Sequence, residues 1–320
     1  MKRIPSGLAI AALIPAAAGA VALGLFAGET VTGELTPDIL LEYRLPRGIL
    51  AFLVGASLGA SGVCFQGLFR NSLADPFVVG VSSGAALGAV LAIVLGFHTT
   101  MLGLAPPTAC AFAGAALAAV VAYSVARVRG RVPITTLLLA GSASGSFAGA
   151  MVSILILFNS PRWSEVVTWL MGSMTHPDPW ARVKVVGPCL AASLAVMAVH
   201  ARDLNLLLLG EESAQQLGVE AERLKVFLLG AGALAAAGAV ATCGMIGFVG
   251  LIVPHVCRRL VGPDHRLLLP VAVLAGGILL TLADAVSRMA SAYPLPIGAV
   301  TALGGAPFFV YILRQRSAKM

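Results

Sequence analysis

The chain has 320 residues, 58% of them hydrophobic and 11% charged, with a formal net charge of +7. Soluble domains carry about 25% charged residues, whereas here apolar runs of about 20 residues recur, which excludes a water-soluble domain and implies a multi-pass membrane protein. The basic residues sit at the ends of the apolar runs and are not interleaved with aromatics, which excludes a nucleic-acid surface.

Ten membrane spans are predicted, at roughly 7–28, 46–68, 78–97, 106–126, 134–158, 183–201, 224–243, 246–260, 267–287 and 296–313. The first follows Lys2 and Arg3. A basic start before an apolar run also suits a secretion signal, but the run from Leu8 to Ala27 is longer than the ~7–15 residues of a signal core, so a retained span is expected. Span two carries FLVGASLGASGV (52–63), echoed by FLLGAGALAAAG (227–238) in span seven. The two copies run in opposite directions, the pattern of an inverted-topology repeat. Between spans two and three, Pro76 breaks the helix, and Ser82, Ser83 and Gly84 open the next one, where backbone N–H groups are free. No GxxxxGK[ST] loop occurs in the chain, so any ATP must bind another polypeptide.

Span five contains GSASGSFAG, in which Gly141, Gly145 and Gly149 recur every fourth residue. Such a smooth stripe lets helices approach closely. It serves either packing within one bundle or a subunit seam or pathway, with Ser142, Ser144 and Ser146 offering hydroxyls. The following segment, SPRWSEVVTWLMGSMTHPDPW (160–180), holds Trp163, Trp169 and Trp180, as expected of a short helix lying along the membrane surface. Between spans six and seven comes LLLLGEESAQQLGVEAER (206–223). Glu211 and Glu212 would open a helix after Gly210, where the helix dipole favours negative charge, and Gly218 would end it. Alone, this stretch reads as a solvated loop helix. Pro254 interrupts the short eighth span and frees a carbonyl that neighbours must satisfy. In span nine Asp284 and Arg288 share a helical face, and a local ion pair is expected.

With the N-terminus inside, fifteen of the 21 Lys and Arg residues fall in inner segments, as the positive-inside rule requires. The 206–223 stretch is then cytoplasmic. No charged residue lies near the middle of a span, where it would cost about 2.5–3.5 kcal/mol and where ion-coupled carriers keep their relays. An ion-coupled secondary transporter acting alone is therefore the weaker alternative. His98, His176, His200, His255 and His265 do not cluster, and Cys64, Cys110, Cys189, Cys243 and Cys257 form no CxxC, so no metal set is expected and the cysteines read as small buried side chains. No nucleophile–base pair supports catalysis.

Four stretches carry a family resemblance: RLPRGILAFLVGASLGASGVCFQGLFRNSLADPFVVGVSSGAALGA (44–89), LGEESAQQLGV (209–219), MIGFVGLIVPHVCRRLVGPDHRLLLP (245–270) and LADAVSRMASAYPLPIGAVTALGGAPFF (282–309). In this order the chain resembles the permease subunit of ABC importers of the FecCD/BtuC type. The resemblance implies one all-α permease domain over residues 1–320 with about ten spans and an inverted repeat, in a bacterial or archaeal cytoplasmic membrane, both termini cytoplasmic. It implies as partners a second copy of the chain, membrane lipid, two cytoplasmic ATPase subunits that hold ATP and Mg, and a periplasmic or lipid-anchored substrate-binding protein. This chain itself would carry no cofactor. The resemblance further implies docking of the binding protein's acidic residues on Arg44, Arg47 and Arg288. Coupling helices over about 202–223 would rest on the ATPases through Leu208, Gly210, Glu211, Glu212, Gln215 and Gly218. The pathway and its gates would involve Ser82, Ser83, Ile134, Thr135, Gly141, Ser142 and Gly145. Ile134 departs from an all-hydroxyl inner gate, and Ser83 stands where the cobalamin transporter has an asparagine. A ferric siderophore is the expected cargo, with haem, cobalamin and molybdate open.

Overall fold

The computed structural model describes residues 6–27, 36–97, 100, 104–158, 160–175, 178–290 and 295–317. His98, His176, Lys2, Arg3 and Lys319 lie outside the described residues. The apolar runs form helices: α1 (Ser6–Phe26), α2 (Leu45–Leu68), α3 (Val81–Leu95), α4 (Pro106–Ala126), α5 (Ile134–Phe158), α6 (Trp163–Leu170), α7 (Pro179–Val199), α8 (Ala201–Leu207), α9 (Glu211–Gln216), α10 (Ala221–Cys243), α11 (Val249–Val261), α12 (His265–Met289) and α13 (Ile297–Ser317). A π-helical lead, Ile39–Arg44, runs into α2, and a 3₁₀ turn, Pro76–Val79, precedes α3. Prolines at the first turns of α2, α4 and α7 fix φ where no N–H is needed. The Asp264 carboxylate caps α12 by accepting from the Arg266 N–H at 3.0 Å.

Among the described residues, seven helices are long and apolar enough to cross a membrane: α1, α2 with its lead, α4, α5, α7, α10 and α12. The two shorter apolar helices are α3 and α13. α11 has only 13 residues, about 20 Å of rise against a hydrocarbon core of ~30 Å. These ten elements coincide with the ten predicted spans, and the differences have local causes. α3 starts at Val81, after the 3₁₀ turn and Gly80 at φ +85°. α11 starts at Val249, because Gly244 (φ +74°) and Phe248 (φ +70°) take left-handed conformations. α7 starts at Pro179, so Trp180 lies in a long helix and not on the surface helix expected for it. Trp163 and Trp169 do lie on that short helix, α6.

α2 and α10 are mostly buried and cross antiparallel at the centre of the fold. The Ser61 hydroxyl donates to the Gly232 carbonyl at 2.8 Å, and the Cys64 thiol to that of Leu228 at 3.2 Å. Glycines set how closely the other helices approach. A Cβ on Gly55 would lie 2.2 Å from the Gly276 carbonyl oxygen, one on Gly59 2.6 Å from that of Ala272, and one on Gly62 1.9 Å from that of Gly250. Helix partners exchange consistently when α2, α3, α4 and α5 are swapped for α10, α11, α12 and α13. α2 packs on α12 as α10 packs on α4, α3 on α4 as α11 on α12, and α2 on α11 as α10 on α3. The short helices α3 and α11 each begin after a residue of positive φ, Gly80 and Phe248. This is the inverted repeat announced by residues 52–63 and 227–238.

Candidate functional site

Three regions concern the expected sites: the short helices at one membrane face, the arginines at the other, and α5 between them. The 206–223 stretch forms a two-helix step. α8 ends at Leu207, Gly210 (φ +117°) turns the chain, and α9 begins with Glu211 and Glu212 in its first turn. Gly218 (φ +87°) ends α9, with its N–H bonded to the Gln215 carbonyl and the Val219 N–H bonded back to that of Ala214. Both helix-end readings from sequence therefore match the backbone. Glu212, Gln215, Gly218, Leu208, Leu209 and Leu217 are exposed along this step, while Ala214 is buried beneath it. α8 is held from below: the Asn205 carboxamide donates to Asp264 at 2.6 Å and accepts from the His265 backbone N–H at 2.9 Å. The backbone N–H of Arg266 and then Asn205 hold the Asp264 carboxyl below its ordinary pKa.

Two of the four carboxylates in this stretch are turned inward. The Lys225 ammonium is buried and makes 2.8 Å contacts with both Glu211 and Glu222. It also donates to the Val132 carbonyl at 3.2 Å, while Glu222 accepts from the Val132 N–H at 2.9 Å. Glu211, offered for ATPase coupling, is half-buried and pairs with Lys225 within the chain. Glu220 pairs with Arg223 in solvent at 2.8 Å. Sequence reasoning missed the Lys225 cluster, because the Val132 peptide lies 93 residues from Lys225 in the chain.

At the opposite face, the three arginines that the resemblance offers for docking each have partners within the chain. Arg44 is buried and donates to the Leu25 carbonyl at 2.6 Å. Arg288 donates to the Gly24 and Ala27 carbonyls at 2.8 and 3.0 Å. Both arginines thus cap the C-terminus of α1, where unpaired carbonyls favour a cation. Arg162 donates likewise to Ile93 near the end of α3, and Arg182 to Thr242 near the end of α10. Asp284, 1% exposed, receives Arg47 at 2.8 Å and Arg288 at 3.2 Å. The local Asp284–Arg288 pair foreseen from spacing is real, but its stronger partner comes from α2. Of the three expected docking residues, Arg47 keeps the most side-chain exposure, 15%, and reaches Thr175 at 3.1 Å.

The stripe on α5 divides. Gly141 packs on the backbone at Val78, where a Cβ would sit 2.3 Å from its carbonyl oxygen. Gly145 packs on Ser83, whose hydroxyl oxygen would be 3.2 Å from such a Cβ, while Gly149 has open space. Ser142, Ser146, Gly149 and Ser153 share an exposed face with Leu139 and Leu157. Ser82 is buried in the first turn of α3, and Ser83 beside it is half-buried. Ile134, half-buried, and Thr135, exposed, open α5 directly behind the clamped Val132. The structure thus brings Ser83 to Gly145 and the start of α5 to the α9–α10 step. Among the described residues, no atom lies within 4 Å of where a Cβ on Gly149 would sit.

Comparison with known proteins agrees with this architecture. The model of the FecCD transport family matches residues 7–315. The chain belongs to the FecCD transport family. Among curated relatives, this FecCD protein is 46% identical over 286 residues to the cobalamin import system permease protein BtuC of Halobacterium salinarum, covering 89% of this chain and 76% of that one. It is 39% identical to the hemin transport system permease protein HmuU of Yersinia pestis, over 98% of this chain and 94% of that one. It is 38% identical to the Fe(3+)-citrate import system permease protein YfmE of Bacillus subtilis, over 88% and 83%. A solved metal-chelate type ABC transporter in an inward-facing conformation superposes with a TM-score of 0.87 at 30% identity, covering 97% of this chain and 99% of that one. PsaBC from Streptococcus pneumoniae, solved with a Fab, shares the fold at a TM-score of 0.60 and 18% identity, covering 86% and 92%. The protein is a multi-pass ABC permease of the FecCD family.

Proposed function

We propose that the chain is the membrane subunit of an ATP-driven importer for a metal chelate, a single permease domain working by alternating access with a second copy. Two separate ATPase subunits bind ATP and Mg and seat on the α8–α9 step at the cytoplasmic face, on the same side as both chain termini. A periplasmic or lipid-anchored binding protein delivers the ligand to the other face. The carrying observation is the exposed step itself: Leu208, Leu209, Glu212, Gln215 and Leu217 stand clear of the bundle on two short helices joined through Gly210. The absence of a phosphate-binding loop in the sequence supports a motor on another chain.

The iron-chelate reading, with a ferric siderophore first, follows from the resemblance and is supported by relatives named for haem and ferric citrate. Cobalamin is the second reading, favoured by the 46% relative named for it. At the outer face Arg47 is the residue proposed to meet the binding protein, whereas Arg44 and Arg288 act as helix caps. A screen of ferric siderophores, haem and cobalamin against the cognate binding protein, followed by uptake in proteoliposomes with the ATPase, tests both readings. Expected is ATP-dependent uptake of one of these classes. Uptake without any ATPase, driven by a proton or sodium gradient, would replace the proposal with a secondary carrier. In the same system, Glu212→Arg combined with Leu217→Arg should weaken co-purification of the ATPase.

A further inference from the structure

The Val132 peptide is gripped at both of its polar ends by side chains of α10. Its N–H goes to Glu222 at 2.9 Å, and its carbonyl receives Lys225 at 3.2 Å. Its side chain is 1% exposed. One residue further, Pro133 fixes the backbone and its carbonyl takes the Leu137 N–H, so α5 grows directly from the gripped peptide. On the other side, Val128 and Arg131 exchange both backbone hydrogen bonds across a two-residue turn, Arg129 at φ +50° and Gly130 at φ +81°. Two positive φ values make this a tight type I′ hairpin with little slack. The same ammonium that holds Val132 holds Glu211, the first residue of α9, at 2.8 Å.

Three elements distant in sequence therefore converge on one buried cation: the step exposed to a partner, the first turn of α10, and the short rigid lead into α5. We infer that the Lys225–Glu222 pair is the joint that carries displacement of α9 to the N-terminus of α5, where Ile134 and Thr135 stand. The physical reason is stiffness. A buried charge cannot leave its partners without a large desolvation cost, so Glu211, Lys225 and Val132 move together. A solvated loop in the same place would absorb the motion. The inference rests on the proposed ATPase partnership and deepens it by naming how the docking step reaches the start of α5. Lys225 and Glu222 are positioning residues and touch no ligand.

The test uses the full complex in proteoliposomes with a spin label at Leu139→Cys, exposed in the first turns of α5, in each copy. Wild type, Lys225→Met, Glu222→Gln and Lys225→Arg are compared for assembly, ATP hydrolysis, ligand transported per ATP, and the ATP-induced change in label distance. Expected for Lys225→Met and Glu222→Gln are assembled complexes that still hydrolyse ATP, a label distance that no longer follows ATP, and transport per ATP reduced about tenfold. Lys225→Arg, which keeps the charge, should restore both. An unchanged distance response and unchanged transport per ATP in Lys225→Met would overturn the joint. So would failure of both Lys225→Met and Glu222→Gln to assemble, which would mark the cluster as a folding element, or a wild-type label distance blind to ATP during active transport. Failure of the ATPase reading is separate: wild type itself would then neither bind an ATPase nor couple uptake to ATP.

Discussion

Arginines near the outer ends of the helices follow one rule. Arg44, Arg288, Arg162 and Arg182 each donate to carbonyls in the last turn of a helix from another part of the chain, at α1, α3 and α10. A helix end buried in protein leaves carbonyls that water cannot reach, and a long guanidinium supplies several donors at once. If this face is the outer one, as proposed, capping explains why cations persist where the positive-inside rule depletes them. Asp284 is a buried acid among them, and it neutralises Arg47 and Arg288 together. Replacing Asp284 with Asn should cost about 3–5 kcal/mol, because two guanidiniums would lose their counter-charge. Unfolding of the purified protein in detergent measures this, and a loss under 1 kcal/mol would show the pair to be dispensable. The Arg44→Glu, Arg47→Glu double variant should likewise lower stability and not only docking, so a pull-down on it must be read beside a melting curve. Asp264 gives a pH dependence of known sign. Its folded pKa lies below the ordinary carboxylate value, so its stabilising effect is complete above roughly pH 4 and is lost as the pH falls through the depressed pKa. Melting curves between about pH 5 and pH 3 should fall less steeply for Asp264→Asn than for wild type.

For the helices, the small residues decide which pairs touch. The α2 face bearing Gly55, Gly59 and Gly62 lies directly on backbone atoms of α12 and α11. In a bilayer, lipid competes as well as any apolar side chain, so close backbone approach supplies the association. Gly62→Val would place a Cβ inside the Gly250 carbonyl and should destabilise the bundle by about 1–3 kcal/mol or more. Reduced yield and an earlier unfolding transition would be seen, whereas Gly230→Val, with open space at that exposed position, should leave both unchanged. The sequence made the stripes legible but not their partners. On α5 it offered three equivalent glycines, and the fold uses Gly141 and Gly145 within the chain while leaving Gly149 facing outward. Periodicity names a face; only packing says what the face meets.

Across the whole molecule, helix burial is uneven. α2 and α10 form the interior, whereas α5 buries little, although it stands at the end of the Lys225 chain of contacts. An exposed face carrying Ser142, Ser146, Gly149 and Ser153 is too polar and too small-sided for a preference for lipid alone. The proposed second copy would cover it. Oxidation of a Gly149→Cys variant in membranes should therefore give a crosslinked dimer on a non-reducing gel. A monomer under the same conditions, with Gly230→Cys as an exposed control on α10, would remove α5 from the seam.

The sequence by itself determined the all-helical membrane architecture, the ten apolar elements, the inverted repeat and the two helix ends at Gly210 and Gly218. These depend on local composition, period and φ preference, which short stretches carry in full. Tertiary structure alone decided that Arg44 and Arg288 are caps, that Asp284 answers first to Arg47, and that Lys225 gathers Glu211, Glu222 and Val132. Glu222 lies three residues before Lys225 on the same helix; the other partners come from 14 to 264 residues away. No spacing within one helix encodes such a partner. A buried cation must find its acceptors wherever the packed helices present them, and that is known only once glycine contacts have fixed how the helices lie.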